Sequence, residues 1–530
     1  MAAAARGGRA LLVLAAVPAV LTALAPIAYL AARALGSSAA GGFTDLGPAV
    51  LRTAALALLV AAGSALIGVP FAILAVRSAL PLRGLAFILG ALPLVIPSYV
   101  GALALLGALG PRGLLARALE PLGVYQLPVI DGLLGSTLVL VLFTYPYVLL
   151  LTAAALRRVD PSLERAARGM GRGPVDTFRR VTLPQIRSAV VAGALLAALY
   201  AMSDFGVVSL LRCTTLTREA YLRYASLYDP AGAAAVGLVL AALALLIVGA
   251  EQWSLRGDTG AARRRVRAAE DVAPLPLGRA RIPAIAFVAV VVLLSLVLPL
   301  AILAWWAVSL VADASLSEQL RDALPAVLNA IGVSAAAAVV CVALALPVAA
   351  LVTRVPGRLP RLIESVSYVG YALPGIVIGL GLVFLSIRSA PFLYQTAAII
   401  VIAYAVRMLP QAISGARSGW ERVDPRFEQA ARGMGRGPID VLARVALPLA
   451  APGILTGAAL VFLTAIKELP ATLLLRPNGF ETPATLIWQN TAVAQYAAAA
   501  VPALILIAVS AAPVYALLVR PEARSRRALG

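Results

Sequence analysis

Twelve runs of roughly twenty or more apolar residues dominate this 530-residue sequence. Runs of that length cross a bilayer as helices, because hydrocarbon offers the backbone no hydrogen-bond partners. The composition, 62% hydrophobic and 13% charged, is typical of an integral membrane protein. We therefore predict an all-α integral membrane protein with about twelve transmembrane helices. The runs lie approximately at residues 10–34, 50–76, 86–109, 133–157, 187–211, 233–253, 282–311, 325–352, 367–387, 393–416, 450–475 and 496–519.

The first run follows Arg6 and Arg9, so a signal peptide is an alternative, with the small residues from Ser37 to Ala40 as its cleavage site. The apolar core of a signal peptide is usually about 7 to 15 residues long. This run is longer, which favours a retained helix.

A polar, arginine-rich segment occurs twice between apolar runs, at residues 159–184 and 423–448, with an offset of 264 and no gap. In each copy an aspartate followed by proline, Asp160 or Asp424, predicts the start of a helix. A glycine-rich run breaks that helix, a proline opens a second one, and the last residue of the segment, also proline, ends it. One such segment could be a basic loop on lipid headgroups. Two near-identical copies favour a surface that docks a partner.

The two halves of the chain match beyond this segment. Counterparts at an offset of 277 are Pro70 and Pro347, Arg77 and Arg354, and Pro97 and Pro374. The first half therefore has 13 extra residues, which we assign to the outer segment 110–132. Because equivalent segments face the same side, we predict two parallel repeats of six helices, at 1–253 and 282–530, joined by a basic cytoplasmic linker at 254–281.

The net charge of +20 would suit a nucleic-acid partner, but its distribution does not. With the N-terminus inside, most basic residues fall in the inner segments: Arg6, Arg9, Arg77, Arg83, both repeated segments, 256–281, Arg354, Arg358, Arg361 and 520–527. The outer segments hold few, among them Arg112, Arg117, Arg218, Arg223 and Arg321. This bias follows the positive-inside rule. It predicts that both termini and both repeated segments are cytoplasmic, with membrane lipid and no nucleic acid as partner.

The repeated segments resemble the cytoplasmic signature of binding-protein-dependent ABC importer permeases, a Glu-Ala-Ala triplet, a spaced glycine and an Ile-x-Leu-Pro end. The residues that match or lie at the signature positions are Glu164, Ala166, Ala167, Gly171, Val181, Leu183 and Pro184, then Glu428, Ala430, Ala431, Gly435, Val445, Leu447 and Pro448. Arg165 and Gln429 replace the leading acid, and the two glutamates precede them. The resemblance implies a type I ABC importer permease fold. It also implies that the segments are coupling helices for a cytoplasmic ATPase, present as two copies.

An acidic residue interrupts the apolar run after each copy, Asp204 in the first half and Glu468 at the same offset in the second. Acids inside a bilayer are usually paired or face a water-filled cavity. In one interpretation both line a central substrate pathway, with Lys467, Arg212 and Arg476 nearby.

The alternative is a purely structural role, with Glu468 paired to Lys467 and Asp204 paired to a nearby arginine. Arg407 is a third buried charge, for which pairing between helices is the favoured role.

The segment Lys467–Pro477 and the stretch Asp204-Phe205-Gly206 resemble parts of bacterial ferric-iron importer permeases, a branch that commonly fuses two halves in one chain. The resemblance implies ferric iron as the substrate, delivered by an extracytoplasmic solute-binding protein at the bacterial inner membrane. Thiamine and polyamine permeases are near relatives and remain alternatives.

Several kinds of site are missing from the sequence. It contains no histidine, only Cys213 and Cys341, and no GxxxxGK[ST] phosphate loop. We therefore predict no metal site, no bound cofactor and no enzyme activity, with ATP and Mg used by the partner ATPase. The permease should offer passage with little selectivity of its own. Alternatives from other classes are a secondary transporter and a membrane enzyme, for which Asp204 and Glu468 are the candidate pair.

Overall fold

The computed structural model describes residues 2–34, 45–111, 113–256, 277–312 and 316–527. Every regular element within these ranges is a helix, which confirms the predicted all-α class. The proposed cleavage site at Ser37 to Ala40 and most of the linker 254–281 lie outside the described residues.

The first half contains helices α1 to α12. Their bounds are α1 Ala2–Ala34, α2 Gly47–Arg77, α3 Arg83–Ala91, α4 Ser98–Leu109, α5 Leu114–Leu119, α6 Gly132–Leu156, α7 Pro161–Gly169, α8 Pro174–Thr177, α9 Leu183–Ser203, α10 Gly206–Leu210, α11 Leu216–Ala225 and α12 Pro230–Arg256.

The second half contains helices α13 to α25. Their bounds are α13 Arg281–Val292, α14 Leu298–Ala312, α15 Leu316–Arg354, α16 Arg358–Ser367, α17 Val369–Ala372, α18 Gly375–Ser389, α19 Ala397–Glu421, α20 Pro425–Gly433, α21 Pro438–Val441, α22 Leu447–Ala465, α23 Pro470–Leu475, α24 Pro483–Ala492 and α25 Tyr496–Arg527.

The number of spans differs from the sequence count of twelve. In the described part of the chain, 10 helices are long and apolar enough to cross a membrane, or up to 11 if a bent pair is one span. That pair, Arg358–Ala372 and Gly375–Ser389, is the ninth run, bent by 101°. The twelfth run lies in α25, which extends from Tyr496 to Arg527. Hydropathy alone therefore counted as a straight span one run that the structure bends.

Prolines break the third and ninth runs at equivalent places. Pro97 (φ −59°, ψ 140°) and Pro374 (φ −58°, ψ 143°) are extended and directly precede α4 and α18. Proline disfavours a helical residue before it and cannot donate a backbone hydrogen bond, so each run divides into two helices. Each half thereby gains a helix N-terminus within an apolar run.

Each half has a core of three long helices that pack against one another. In the first half α2, α6 and α9 pack together, and in the second half α15, α19 and α22 do the same. The two halves also exchange their first helices, because α1 packs against α15 and α18 whereas α14 packs against α4. The halves therefore share one bundle.

The extra residues of the first half lie in the connection from α4 to α6, within the predicted range 110–132. Between α4 and α6 the chain forms the short helix α5 and a 3-10 turn, Glu120–Leu122. The equivalent connection from α18 to α19 contains a single 3-10 turn, Pro391–Leu393.

Four glycines bring α19 and α22 into backbone contact. A Cβ at Gly453 would lie 2.5 Å from the Cα of Gly419, and one at Gly415 would lie 2.5 Å from the Cα of Gly457. Each helix contributes two glycines four residues apart, which is the small-residue spacing that permits close approach in membranes.

We expect Gly453→Ala to destabilise the protein by about 1 to 3 kcal/mol, the usual range for overpacking, because the added methyl group meets backbone that cannot rotate away. The measurement is the thermal midpoint of the detergent-purified protein. Gly332→Ala in α15 is the matched control, since a Cβ there has nothing within 4 Å. Equal midpoints for the two variants would contradict the close crossing.

Candidate coupling loops and central cavity

Each repeated segment begins with a capped helix that ends at a glycine turn. The Asp160 and Asp424 carboxylates accept hydrogen bonds from Ser162 N (2.8 Å) and Arg426 N (2.9 Å), which confirms the predicted caps of α7 and α20. The glycine runs end both helices, as predicted. We refer to the segments 159–184 and 423–448 as the first and second coupling loops, after the role that the sequence predicts for them.

The signature glycine completes the C-terminal cap. Gly171 has φ +82° and Gly435 has φ +84°, in the left-handed region that favours glycine. In the first loop Gly171 N donates to Arg168 O (2.9 Å) and Arg172 N donates to Ala167 O (3.2 Å). The second loop repeats both bonds, which together form a Schellman motif. The spacing of alanine and glycine in the signature is thus set by this cap.

The final proline does not end the second short helix, so that prediction was wrong. In the first loop α8 continues through a π turn, Phe178–Thr182, directly into α9, and Pro184 lies in the first turn of α9. In the second loop α21 continues through the π turn Leu442–Ala446 into α22. A π turn widens the helix at the point where the proline ring would otherwise clash with the preceding turn.

Both loops are attached to the second long helix of their own half. Arg77, at the end of α2, donates to Val159 O (3.1 Å), and Arg354, at the end of α15, donates to Val423 O (3.4 Å). The sequence separations are 82 and 69 residues, so they differ by the 13 extra residues of the first half.

Glu164 and Glu428 each lie one residue before the position of the signature acid, and they have different partners. Glu164 accepts a hydrogen bond from Thr182 (2.8 Å) within its own loop. Glu428 forms an ion pair with Arg354 (2.5 Å). The second loop is therefore attached to α15 by a charge pair that the first loop lacks.

Large apolar side chains are exposed at equivalent positions of both loops. Met170 and Met434 are 72% and 75% exposed, and Leu163 and Phe427 are 45% and 58% exposed. Ala167 and Ala431 are buried, whereas Ala166, Gly171, Ala430 and Gly435 face outward. Val181 and Val445, together with Leu183 and Leu447, are half-buried, and Pro184 and Pro448 are exposed. Exposed apolar groups rimmed by charges are typical of a protein–protein surface.

A cavity of about 140 Å³ lies between the two halves. The first half contributes the polar side chains Ser98, Tyr99, Tyr147, Tyr200 and Asp204. The second half contributes Arg407, Lys467 and Glu468. Three of the predicted pathway residues, Asp204, Lys467 and Glu468, are thereby brought together.

Asp204 follows the last residue of α9 and is bonded to uncharged groups. Ser98 donates to its carboxylate (2.5 Å) and Tyr200 donates to Ser98 (3.0 Å). The other carboxylate oxygen accepts a bond from Val207 N (2.7 Å) at the start of α10. Among the described residues no arginine or lysine forms an ion pair with Asp204, so the arginine partner expected in the structural alternative is not found.

Glu468 is paired with Arg407 and not with the neighbouring lysine. The ion pair joins α19 to the segment after α22, which confirms the helix-to-helix pairing predicted for Arg407. The Lys467 ammonium instead donates to Leu94 O of the first half (2.9 Å). A charged hydrogen bond therefore crosses between the halves beside the cavity.

The two predicted pathway arginines do not line this cavity. Arg476 forms an ion pair with Glu481 beyond the end of α23. Arg212 is exposed and has a positive φ of 54°.

The sequence reasoning missed the hydroxyl groups of the cavity. The sequence contained one indication that Ser98 has a specific role, because its counterpart at the offset of 277 is a glycine, Gly375. A Cβ at Gly375 would lie 2.3 Å from a Glu468 carboxylate oxygen and 2.9 Å from Arg407, so the ion pair fills the space that Ser98 fills in the first half.

Comparison with known proteins gives one family. The sequence profile described as "Binding-protein-dependent transport system inner membrane component" matches residues 64–256 and again residues 342–526. Each match contains one coupling loop and one of the two cavity acids, which confirms that the repeats are parallel.

Several relatives are permeases of named transport systems. The chain is 33% identical over 401 residues to the Fe(3+)-transport system permease protein FbpB 2 of Haemophilus influenzae, covering 74% of this chain and 77% of the relative. It is 28% identical over 429 residues to the thiamine transport system permease protein ThiP of Brucella abortus, covering 78% of each. It is 34% identical over 190 residues to the molybdenum transport system permease protein ModB of Mycobacterium tuberculosis, covering 34% of this chain and 70% of the relative. The chain therefore belongs to the family of inner membrane components of binding-protein-dependent transport systems, with two copies of the family's domain in one multi-pass polypeptide.

Proposed function

We propose that this chain is the transmembrane permease subunit of an ABC importer for ferric iron, serving a binding protein outside the membrane and two copies of an ATPase inside. The observation that supports ferric iron as the substrate is the similarity to the Haemophilus influenzae ferric permease over about three quarters of both chains. The similarity to the thiamine permease extends over a similar share of both chains but at lower sequence identity, so thiamine is the second candidate substrate.

The orientation follows from charge. Both coupling loops and both termini face the cytoplasm, because the basic residues concentrate in the segments on that side. The exposed Met170 and Met434 and their neighbours then meet one ATPase subunit each. The chain contributes no nucleotide site of its own, and ATP and Mg are used by those partners.

The helices provide a direct mechanical path from each loop to the cavity. The first loop continues through a π turn into α9, which has 21 residues and is followed at once by Asp204. At 1.5 Å per residue this helix is about 30 Å long. The second loop continues in the same way through α22 toward Lys467 and Glu468. A helix of this length moves as a unit, so movement of a loop displaces the residues that line the cavity.

Alternating access follows from this arrangement. Closure of the ATPase dimer moves the loops together, and Arg77 and Arg354 carry α2 and α15 with them. The bundle then opens outward to the loaded binding protein, and ATP hydrolysis returns it to the inward state. Each ligand shifts this equilibrium only by its difference in affinity for the two states. Substrate selection belongs mainly to the binding protein.

Whole-cell uptake tests the substrate. We expect cells lacking the gene to lose uptake of radiolabelled ferric iron while uptake of thiamine and spermidine stays unchanged, and a plasmid copy to restore it. Loss of thiamine or spermidine uptake instead would keep the importer and overturn ferric iron.

A further inference from the structure

The two acids of the cavity occupy equivalent positions and have different direct partners. Glu468 is neutralised by Arg407. At the offset of 264 the first-half counterpart of Arg407 is Phe143, and the counterpart of Lys467 is Ser203. The direct hydrogen-bond donors to Asp204 are neutral, and among the described residues neither Arg407 nor Lys467, which line the same cavity, forms an ion pair with it. A carboxylate that is 7% exposed and not paired with a cation is costly to bury, and a bound cation would remove that cost.

Three hydroxyl groups accompany this carboxylate. Ser98 and Tyr200 form a hydrogen-bonded chain that ends on Asp204. Tyr99 also lines the cavity, is 5% exposed, and its hydroxyl has no hydrogen-bond partner. An unpartnered buried polar group of this kind indicates a ligand, because leaving it unsatisfied costs about 1 to 3 kcal/mol.

Carboxylate and hydroxyl oxygens are the ligands that small, highly charged cations take, and tyrosine oxygen is a known ligand of haem iron. The cavity volume of about 140 Å³ is smaller than the roughly 300 to 1,000 Å³ of pockets for drug-sized molecules. An ion with a few waters fits this space better than an organic chelate does.

We propose that Asp204, Ser98, Tyr99 and Tyr200 form a transfer site at which a ferric ion, released from any organic chelator, rests on its way through the permease. This inference rests on the proposed function and deepens it. Each tyrosine that binds the ion as phenolate releases one proton, which leaves through the cavity water. The Lys467 ammonium in the same cavity opposes tight binding, and a transfer site must release its ion.

Transport by the whole importer in proteoliposomes, with its ATPase and iron-loaded binding protein, gives the first test. We expect Tyr99→Phe, Tyr200→Phe and Asp204→Asn each to lower ferric-iron uptake about tenfold or more, the scale of losing a group that supports a metal site. ATPase stimulation by the loaded binding protein is measured in the same proteoliposomes, and uptake is expressed per ATP hydrolysed. Asn at position 204 can still accept the bond from Val207 N.

Tyr145→Phe is the matched control, since Tyr145 is a buried tyrosine of the first half whose hydroxyl contacts Ser295 (3.4 Å) outside the cavity. Uptake by this variant should equal that of the wild type. Wild-type rates in Tyr99→Phe, Tyr200→Phe and Asp204→Asn would overturn the transfer site while leaving the ferric importer intact. A wild-type importer that moves thiamine and no iron would overturn the proposed function, and the site with it.

Luminescence of Tb³⁺, a trivalent oxygen-seeking ion excited through nearby tyrosines, gives a readout independent of transport. In the purified complex we expect the tyrosine-sensitised signal to fall in Tyr99→Phe and Asp204→Asn and to persist in Tyr145→Phe. An unchanged signal in all three variants would contradict binding at this cavity.

Discussion

Replacing Arg407 by leucine is expected to abolish uptake and to destabilise the protein by about 3 to 5 kcal/mol, the usual effect of leaving one member of a buried ion pair alone. Glu468 is 6% exposed, and its partner in the described structure is Arg407. Without the guanidinium, the buried carboxylate would lose its ion-pair partner, since the Lys467 ammonium is bonded to Leu94 O. The measurements are the thermal midpoint of the purified protein and ferric-iron uptake by the reconstituted importer.

The double variant Arg407→Leu with Glu468→Leu separates a structural role from a role in transport. Removing both charges of a buried pair is often neutral for stability, so we expect the thermal midpoint to recover. Uptake should remain lost if the pair belongs to the pathway. Recovery of both stability and uptake would mean that the pair only holds α19 in place.

Arg417→Leu is the matched control in the same helix. Arg417 is 45% exposed and pairs with Glu421, which is 56% exposed, and with Glu364, whose side chain is 15% exposed. Exposed pairs contribute at most about 1 kcal/mol, so this variant should keep both its thermal midpoint and its uptake.

The sequence was sufficient for the features that depend on local chemistry. The caps at Asp160 and Asp424, the glycine breaks and the twofold repeat all follow from residue type and spacing, and the structure has them. The proline at the end of each loop was misread, because a π turn allows proline within a continuous helix and leaves no mark in a local pattern.

The cavity could be predicted only in part, because it depends on contacts between distant parts of the chain. The acids Asp204 and Glu468 were found, since a charge in an apolar run stands out. Their partners Ser98 and Arg407 lie 106 and 61 residues away in sequence, and only packing of the helices decides which side chains meet. Lys467 and Glu468 lie in the turn between α22 and α23, where Lys467 reaches Leu94 O of the other half and Glu468 pairs with Arg407.

Valine at both signature glycines, Gly171 and Gly435, is expected to abolish uptake while the protein still inserts in the membrane. A β-branched residue at a positive φ is strained by more than the 1 to 2 kcal/mol usual for a left-handed residue. The cap that ends α7 and α20 would then rearrange, and the exposed Met170 and Met434 would no longer face the ATPase in the same direction. A Cβ at either glycine has nothing within 4 Å, so any loss comes from the backbone conformation and not from a clash within the chain.

Two comparisons make this result specific. Gly169 and Gly433, two residues earlier in each loop, are equally open but have no positive φ, so valine there should cost only helix propensity and leave uptake largely intact. Asparagine at 171 and 435 should also retain function, because it tolerates the left-handed region. Uptake and ATPase stimulation by the loaded binding protein are measured together in the reconstituted importer. An importer driven through these loops loses uptake and ATPase stimulation with valine at 171 and 435. A secondary transporter would keep its uptake, since its energy would come from an ion gradient and not from a partner on the loops.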